Sequence, residues 1–395
     1  MRIIEEEGAI PIKMWLDYLE DGAEEQARHL ARLPFAFHHI AIMPDSHQGF
    51  GMPIGGVLAT KNYIVPNAVG GDIGCGMNAV KTDIKAADIT YDKVKEIIEK
   101  ARKLIPVGQN SREKDYKEYE DRLPKLPSFQ EPLSVEKEIP TSIRQLGTLG
   151  GGNHFIEIQK GNYGFVWLML HSGSRHLGQV INNSYNGKAV KWGYDKFHEI
   201  PPKWDLAPLP ASTNTKDDSI GVRYVREMEY AVEYAFENRK LMMELLQDSV
   251  NKVFPKTEFS EMINIAHNFV AMESHFGEWV YVHRKGATRA YKGQLGIIPG
   301  SQGTFSYIVR GRGNPESFMS CSHGAGRKLS RNKAKEQLKL SEQQRLMEGI
   351  VHDINSQKAL DEAPGAYKDI EQVMENQKDL VDIMVKLKPL GVLKG

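Results

Sequence analysis

The stretch FHHIAIMPDSHQGFGMPIGGVLATKNYIVPNAVGGDIGCGMNAV, residues 37–80, decides the fold class. Short apolar or β-branched pieces, HIAIM, GGVLAT, YIVP and the MNAVKT that runs on to Thr82, lie between Gly, Pro, Asn and Asp breakers. That grammar predicts strands joined by glycine turns. A thiol, Cys75, sits among the glycines of AVGGDIGCGMNAV, three positions after Asp72. Free cysteine used for packing prefers apolar neighbours. Glycine on both sides instead implies a sharp turn and a close approach by something else.

Downstream, DITYDKVKEIIEKARKL (88–104) changes period: Val94, Ile97, Ile98 and Ala101 share a helical stripe, and Asp88 or Thr90 can cap it. Residues 108–140 are polar, charged and proline-containing, which predicts a long excursion over the surface. GTLGGGNHFIEIQ and GFVWLMLHSGSR read as two strands joined near KGNYG, the second buried. Residues 222–250 hold the clearest helix, with Val225, Met228, Ala231, Val232, Ala235, Phe236, Met242 and Leu245 in period. Residues 264–290 read as mixed structure, GQLGIIPGSQGTFSYIVRG as strands around a glycine turn, and SHGAGRKLSRNKAKEQL as a turn running into a helix. No internal repeat or linker divides the 395 residues, so one compact α+β domain is expected.

Composition narrows the class of protein. Hydrophobic residues are 41% and charged residues 26%, as in an ordinary globular chain. No run approaches the roughly 18 apolar residues of a membrane span. The acidic start MRIIEEEGAIPIKMW lacks the pattern of a secretory signal. Two cysteines make no disulfide framework, so a reduced, cytoplasmic protein with free thiols is expected. Lys plus Arg equals Asp plus Glu at 51 each, so any polyanion site must be a local cluster.

Polar residues interrupt the glycine-rich or apolar sequence at Asp72, Cys75, Asn153, His154, His171, His267, Asn268 and His323. One Asp, one Cys and three His could hold two cations if the thiolate bridges, since carboxylate, thiolate and neutral imidazole are metal ligands. Taken singly, each has a plainer reading: packed thiol, turn former, satisfied core histidine. In CSHGAGRKLSR, His323 precedes Gly-Ala-Gly, and Arg327 and Arg331 fall four apart on the expected helix. Glycine amides and guanidiniums beside an imidazole suit a phosphate, and a neutral imidazole can act as a covalent nucleophile. Solvated arginines at a helix start are the alternative. Arg175, four residues after His171, is a second possible phosphate contact, and Ser301 and Ser306 lie in a glycine turn that could meet a nucleotide. GTLGGGNHF is not a dinucleotide fingerprint, because a strand follows it, and no GxxxxGK[ST] occurs.

Read together and in order, PIKMW, PDSHQGFGMPIGG, GGDIGCGMNAV, LGTLGGGNHFIEI, MLHSGSR, AHNFV, IPGSQGT, SCSHGAGRKLSR and VLKG resemble the RtcB family of RNA ligases along nearly the whole chain. The resemblance implies a single α+β catalytic domain over residues 1–395, whose mainly antiparallel sheets form a central active-site cleft flanked by helices, with a more variable helical excursion at about 190–255. It also implies a GTP- and manganese-dependent ligase joining an RNA 3′-phosphate or 2′,3′-cyclic phosphate to a 5′-hydroxyl. Asp72, Cys75 and His154 would hold one Mn²⁺, and Cys75, His171 and His267 the other. His323 would be guanylylated and pass the guanylyl group to the RNA 3′-phosphate. Asn153, His154, Phe155, Ile156, Glu157, His267, Asn268, Pro299, Gly300, Ser301, Gln302 and Ser306 would contact the nucleotide. So would His323, Gly324, Ala325, Gly326 and Lys394, while Arg175, Arg327 and Arg331 would meet RNA or triphosphate oxygens.

The resemblance further allows an archease-type activator and a monomer, with no membrane association. Ser46, Phe50 and His176 depart from the family pattern at positions flanking the site and bear on RNA preference. A metal-dependent phosphodiesterase or phosphatase that stops at hydrolysis, and a catalytically quiet RNA-binding paralogue, are the rival readings.

Overall fold

In the computed structural model, which describes residues 1–113, 116–127, 133–212 and 219–395, the opening stretch is indeed strands. They are longer than its turn residues predict. After β1 (Arg2–Ile4), β2 (Ile12–Met14) and helix α1 (Asp21–Ala31), β3 (Ala36–Phe50) and β4 (Met52–Thr60) form one long hairpin. β3 runs through Pro44 and Gly49 because the register shifts between Ile42 and His47, and again between His47 and Phe50. Bulges of this kind re-aim side chains, and the first of these frees Asp45 from the ladder.

β5 (Tyr63–Ile64) and β6 (Gly76–Lys85) follow, then α2 (Tyr91–Leu104), capped by the Thr90 hydroxyl, which accepts from the Lys93 amide. The described parts of 108–140 are not all surface: Val135 is fully buried, and Tyr119, Leu123 and Leu133 pack against the core. Residues 114–115 and 128–132 of that stretch lie outside the described residues. α3 (Ile139–Gln145) leads to β7 (Phe155–Gly161) and β8 (Phe165–Ser172), paired as expected. Next come α4 (His176–Lys196), β9 (Leu209–Pro210) and α5 (Ile220–Asn251), the last within two residues of its predicted bounds at the start and one at the end.

The expected mixed region is strand throughout: β10 (Ile263–Ala266), β11 (Asn268–His275), β12 (Glu278–Lys285) and β13 (Ala287–Arg289). β14 (Leu295–Ile298), β15 (Ser306–Gly311) and β16 (Ser320–Ser322) precede α6 (Arg331–Gln337), α7 (Leu340–Leu346), α8 (Ile370–Asn376) and β17 (Val381–Lys394). Helix α6 begins only at Arg331, where the Ser330 hydroxyl caps it. His323 is therefore not at a helix N-terminus, and Arg327 and Arg331 do not share a helical face. Gly326 adopts φ +73°, a left-handed backbone that a helix cannot continue.

Two sheets carry the architecture, in the orders β1-β2-β3-β4-β12-β11 and β10-β6-β8-β7-β17-β15-β14. Among these pairs only β2–β3 is parallel. The edges β10 and β14 of the larger sheet approach each other, leaving it nearly closed. Helix α5 packs over β6, β8, β10 and β11, so it covers the face where both sheets meet. Its Tyr234, Ala235, Met242 and Leu246 are fully buried, and each large apolar side chain so buried stabilises by about 1.5–3 kcal/mol. The result is one compact α+β domain, and no helix among the described residues is long and apolar enough to cross a membrane.

Candidate active site

The glycines around Cys75 admit two neighbours at very short range. A Cβ at Gly74 would meet Ala235 and Val232 of α5 at 2.9 Å, and one at Gly76 would fall 1.9 Å from the Ile265 carbonyl of β10. Only glycine lets the loop thread between helix and strand, and the thiol is held, buried, where they cross.

Four segments converge on that sulfur. Cys75 Sγ lies 3.1 Å from His171 Nε2 and 3.5 Å from His154 Nε2. His154 Nε2 is 3.1 Å from Asp72 Oδ2, and His171 Nε2 is 3.3 Å from His267 Nε2. Donor atoms within Asp72, Cys75 and His154, and within Cys75, His171 and His267, all lie within 4.8 Å of one another. Cys75 is common to both sets.

The hydrogen bonding fits cations. His154 Nδ1 donates to the Leu149 carbonyl at 2.9 Å and His171 Nδ1 to the Asn153 carbonyl at 3.2 Å, so both Nε2 lone pairs face the cluster. Burial keeps His171 and His267 neutral by lowering their pKa values well below the usual. Burial works to raise the Asp72 carboxyl, but the His154 hydrogen bond and charge hold it at about 2. Burial and the Asp72 charge push the Cys75 thiol well up. Without a cation the thiolate is thus disfavoured, whereas a coordinated divalent ion deprotonates a thiol outright. The donor set of one thiolate, one carboxylate and three imidazoles suits a pair of transition metals.

His323 stands beside the cluster, its ring centroid 4.8 Å from that of His267. Its Nδ1 donates to Asp45 Oδ2 at 2.6 Å, and the same oxygen accepts from the amides of His323 at 3.1 Å and Gly324 at 3.3 Å. Asp45 is wholly buried. In the neutral ring this bond fixes the tautomer, with the hydrogen on Nδ1 and the lone pair on Nε2.

A cavity of about 310 Å³ joins cluster and imidazole, near the lower bound for a ligand pocket. Asn153, Phe155, Glu157 and Asn268 line it, with Lys394 paired across the ladder to Phe155. Pro299 to Gln302 and Gly324 to Gly326 complete the lining. Strand alternation sends Phe155 and Glu157 inward and Ile156 into the apolar core behind. Ser306 lies beneath the wall, its hydroxyl accepting from the Gly300 amide at 3.1 Å. Burial pushes the Glu157 carboxyl up to about 8, against the pull of Gln159 and Lys394.

Arg327 and Arg331 reach the cavity too, but both meet Glu362, at 3.0 and 3.4 Å. Arg175, at φ +58°, lines a neighbouring groove with Asp72, His154 and Arg331. Of the departures from the family pattern, Ser46 is buried, Phe50 is exposed beside the β3–β4 turn, and His176 lies 3.5 Å from Glu138.

Sequence reasoning missed Asp45, His47, Glu362 and Tyr367, all within this site. Glu362 also faces Lys394 at 3.4 Å and accepts from the Tyr367 hydroxyl. His47 lines the cavity, its Nδ1 donating to the Asp45 carbonyl at 3.1 Å. Asp45 had a usable signal: like His171 after VWLML, it is a polar residue ending a buried apolar run, IAIM.

A shared thiol with donors on either side, open to a pocket and faced by a carboxylate-aligned imidazole, defines the class as a metal-site protein equipped for group transfer. Comparison with known proteins is more specific. The family model described as tRNA-splicing ligase RtcB matches residues 26–395. The RNA-splicing ligase RtcB of Escherichia coli K12 is 40% identical over 405 residues, covering 98% of this chain and 97% of the relative. The tRNA-splicing ligases RtcB of Thermococcus kodakarensis and Methanococcus maripaludis are 31% and 32% identical, covering 95% and 98% of this chain and 92% and 95% of theirs. The chain belongs to the RtcB family.

Proposed function

We propose that this chain is an RNA ligase that joins a 3′-phosphate or 2′,3′-cyclic phosphate end to a 5′-hydroxyl end, using GTP and two Mn²⁺. The observation that carries the reading is the 2.6 Å bond from His323 Nδ1 to the buried Asp45, which in the neutral ring puts the lone pair on Nε2, beside five convergent metal donors. Asp72, Cys75 and His154 would hold one cation and Cys75, His171 and His267 the other. The cations would supply Lewis-acid charge neutralisation and a template for the phosphates. A soft thiolate by affinity order favours zinc over manganese, so supply decides which metal is loaded.

His323 Nε2 attacks the α-phosphorus of GTP, the N–P bond forms, and pyrophosphate leaves with the electrons of the broken P–O bond. Positive charge develops on the imidazole, and the Asp45 carboxylate stabilises it through Nδ1–H. A 2′,3′-cyclic end is first opened by water, the P–O2′ bond breaking and the 2′-oxygen taking a proton. A 3′-phosphate oxygen then attacks the guanylyl phosphorus and displaces the imidazole, which regains its lone pair. Finally the 5′-hydroxyl attacks the 3′-phosphorus, loses its proton, and GMP departs. Asn153, Phe155, Glu157, Asn268, Ser301, Ser306, Lys394 and the amides of Gly324 to Gly326 contact the guanine nucleotide. Arg175, Arg327 and Arg331 take phosphate oxygens, the last two on release from Glu362. A monomer working in the cytoplasm, with an archease-type activator, belongs to the same reading.

The test is incubation of the full chain with α-labelled GTP and Mn²⁺. Acid-labile label on the wild type, and none on His323→Ala, is expected, together with joining of a 3′-phosphate fragment to a 5′-hydroxyl fragment. Hydrolysis of a cyclic phosphate without label on the protein would mark a phosphodiesterase, and RNA binding alone a quiet paralogue.

A further inference from the structure

Arg239 is a fully buried arginine that the proposed chemistry does not use. Among the described residues no carboxylate lies within ion-pair distance of it, and a buried guanidinium without a counter-charge is expensive. All its hydrogen bonds go to neutral acceptors. Nη1 donates to the Gly74 carbonyl at 2.7 Å and the Ser172 carbonyl at 3.0 Å, and Nε donates to Asn264 Oδ1 at 2.7 Å. Gly74 immediately precedes Cys75 and Ser172 immediately follows His171, while Asn264 lies on the strand that delivers His267.

Its neighbour Asn238 is equally buried and reaches the other half of the cluster. Asn238 Oδ1 accepts from the Gly147 and Thr148 amides at 2.7 and 3.2 Å. Its Nδ2 donates to the Thr148 carbonyl at 3.2 Å, the Ser172 hydroxyl at 3.1 Å and the Gly173 carbonyl at 3.2 Å. That places the 147–149 turn, whose Leu149 carbonyl orients His154. It also seats Gly173 against Asp72, where a Cβ would lie 2.2 Å from Asp72 Oδ1.

We propose that Asn238 and Arg239 are positioning residues weighted toward different metal sites, Asn238 toward the site of Asp72, Cys75 and His154, and Arg239 toward the site of Cys75, His171 and His267. The proposal rests on the two-metal reading above. Consecutive residues on α5 can divide the work because the helix lies where the ligand-bearing segments meet. A group that fixes a ligand's backbone acts on the metal as an outer-shell partner does, and losing one weakens metal affinity by roughly 10–100-fold.

The experiment is calorimetric titration of Mn²⁺ into the metal-free full chain. Wild type should take up two ions. His267→Ala isolates the first site and His154→Ala the second, and each background receives Asn238→Leu or Arg239→Met. Asn238→Leu should weaken the site left in His267→Ala by roughly 10–100-fold and the site left in His154→Ala by less. Arg239→Met should show the opposite preference, with some loss at both sites because Arg239 holds Gly74 beside the shared Cys75. Asn238→Asp and Arg239→Lys, which keep part of each hydrogen-bond set, provide milder versions should the first pair fail to fold. Lower thermal stability with unchanged Mn²⁺ affinity in every background would mean a merely structural role and overturn the proposal. Equal loss at both sites would overturn the division. A wild type that binds fewer than two ions would remove the metal reading itself, and this inference with it.

Discussion

At the scale of single residues, the decisive feature is a carboxylate that does two jobs with one oxygen. Asp45 Oδ2 accepts from the His323 ring and from two successive backbone amides, so the imidazole has one tautomer and one direction. Asp45→Asn keeps an oxygen for the amides but removes the negative charge that, in the mechanism proposed above, would answer a developing imidazolium. Guanylylation should slow by about 10²–10⁴-fold, measured as the rate of label transfer from GTP, while Mn²⁺ binding stays as in wild type. Glu157 makes a separate prediction. Its buried carboxyl titrates near 8 in the folded chain, against an ordinary value of 4.5. Between those values the folded state holds a proton that the unfolded state has lost, so this residue's contribution to stability declines as pH rises from about 4.5 to 8. Glu157→Gln in the nucleotide-free protein should therefore gain on wild type across that window, read as the difference in Tm at pH 5 and pH 8. A constant difference would contradict it. The cluster donors were legible because each interrupts glycine or apolar sequence. Asp45 carried the same kind of signal after IAIM, but its partner His323 was not legible, and Glu362 carried no such signal, since a carboxylate's partner is set by strand pairing and chain return that no local pattern encodes.

At the scale of elements, legibility followed the kind of residue that packs. Helix α5 was readable because its buried side is built of Met, Ala, Val and Tyr at helical spacing. Helix α4 was not, although its buried residues Ile181, Tyr185, Ala189 and Gly193 also recur every four positions. With Leu177 they form a stripe only one residue wide, flanked by Gly178 and Asn182 and surrounded by polar residues. The β11–β12 hairpin shows the opposite problem, a charged cluster inside a sheet. Glu273 accepts from Arg284 at 2.7 and 2.9 Å, from Arg289 at 3.0 Å and pairs with His275 at 3.0 Å. Burial would raise its carboxyl, but the Arg284 charge, with His275 and Arg289, holds it well below the usual range. Glu273→Gln leaves Arg284, which is wholly buried, without its counter-charge, and should cost about 3–5 kcal/mol. Because the folded value is depressed, the pair's stabilisation is complete at neutral pH and lost on acidification below the ordinary carboxylate range. The wild type's advantage over Glu273→Gln, measured by urea unfolding, should shrink as pH falls. An advantage unchanged by acid would contradict the assignment.

At the scale of the molecule, the centre spans the seam between the sheets. Asp72 and Cys75 precede β6, His154 precedes β7 and His171 lies on β8, all in the seven-stranded sheet. Asp45 comes from β3 of the six-stranded sheet, and His267 sits where the chain passes from β10 of one sheet to β11 of the other. Cations bound here would tie the crossing segment to the larger sheet, so loading should be visible as global stability. A ligand that binds only the folded state at a hundredfold excess over its Kd stabilises by about 2.7 kcal/mol per site. Scanning calorimetry with Mn²⁺ or with a chelator should show a higher Tm for the loaded chain. Cys75→Ala, which removes the donor common to both sites, should abolish the shift, and His267→Ala should leave part of it. Lowering the pH from 7.5 to 5.5 should shrink the shift in wild type, since the Cys75 thiol, which burial and the Asp72 charge push well up, must give up its proton when the metals bind. A Cys75→Ala chain that keeps the full Mn²⁺-dependent shift would place the cations elsewhere, and the buried thiol would then be held between helix and strand for packing alone.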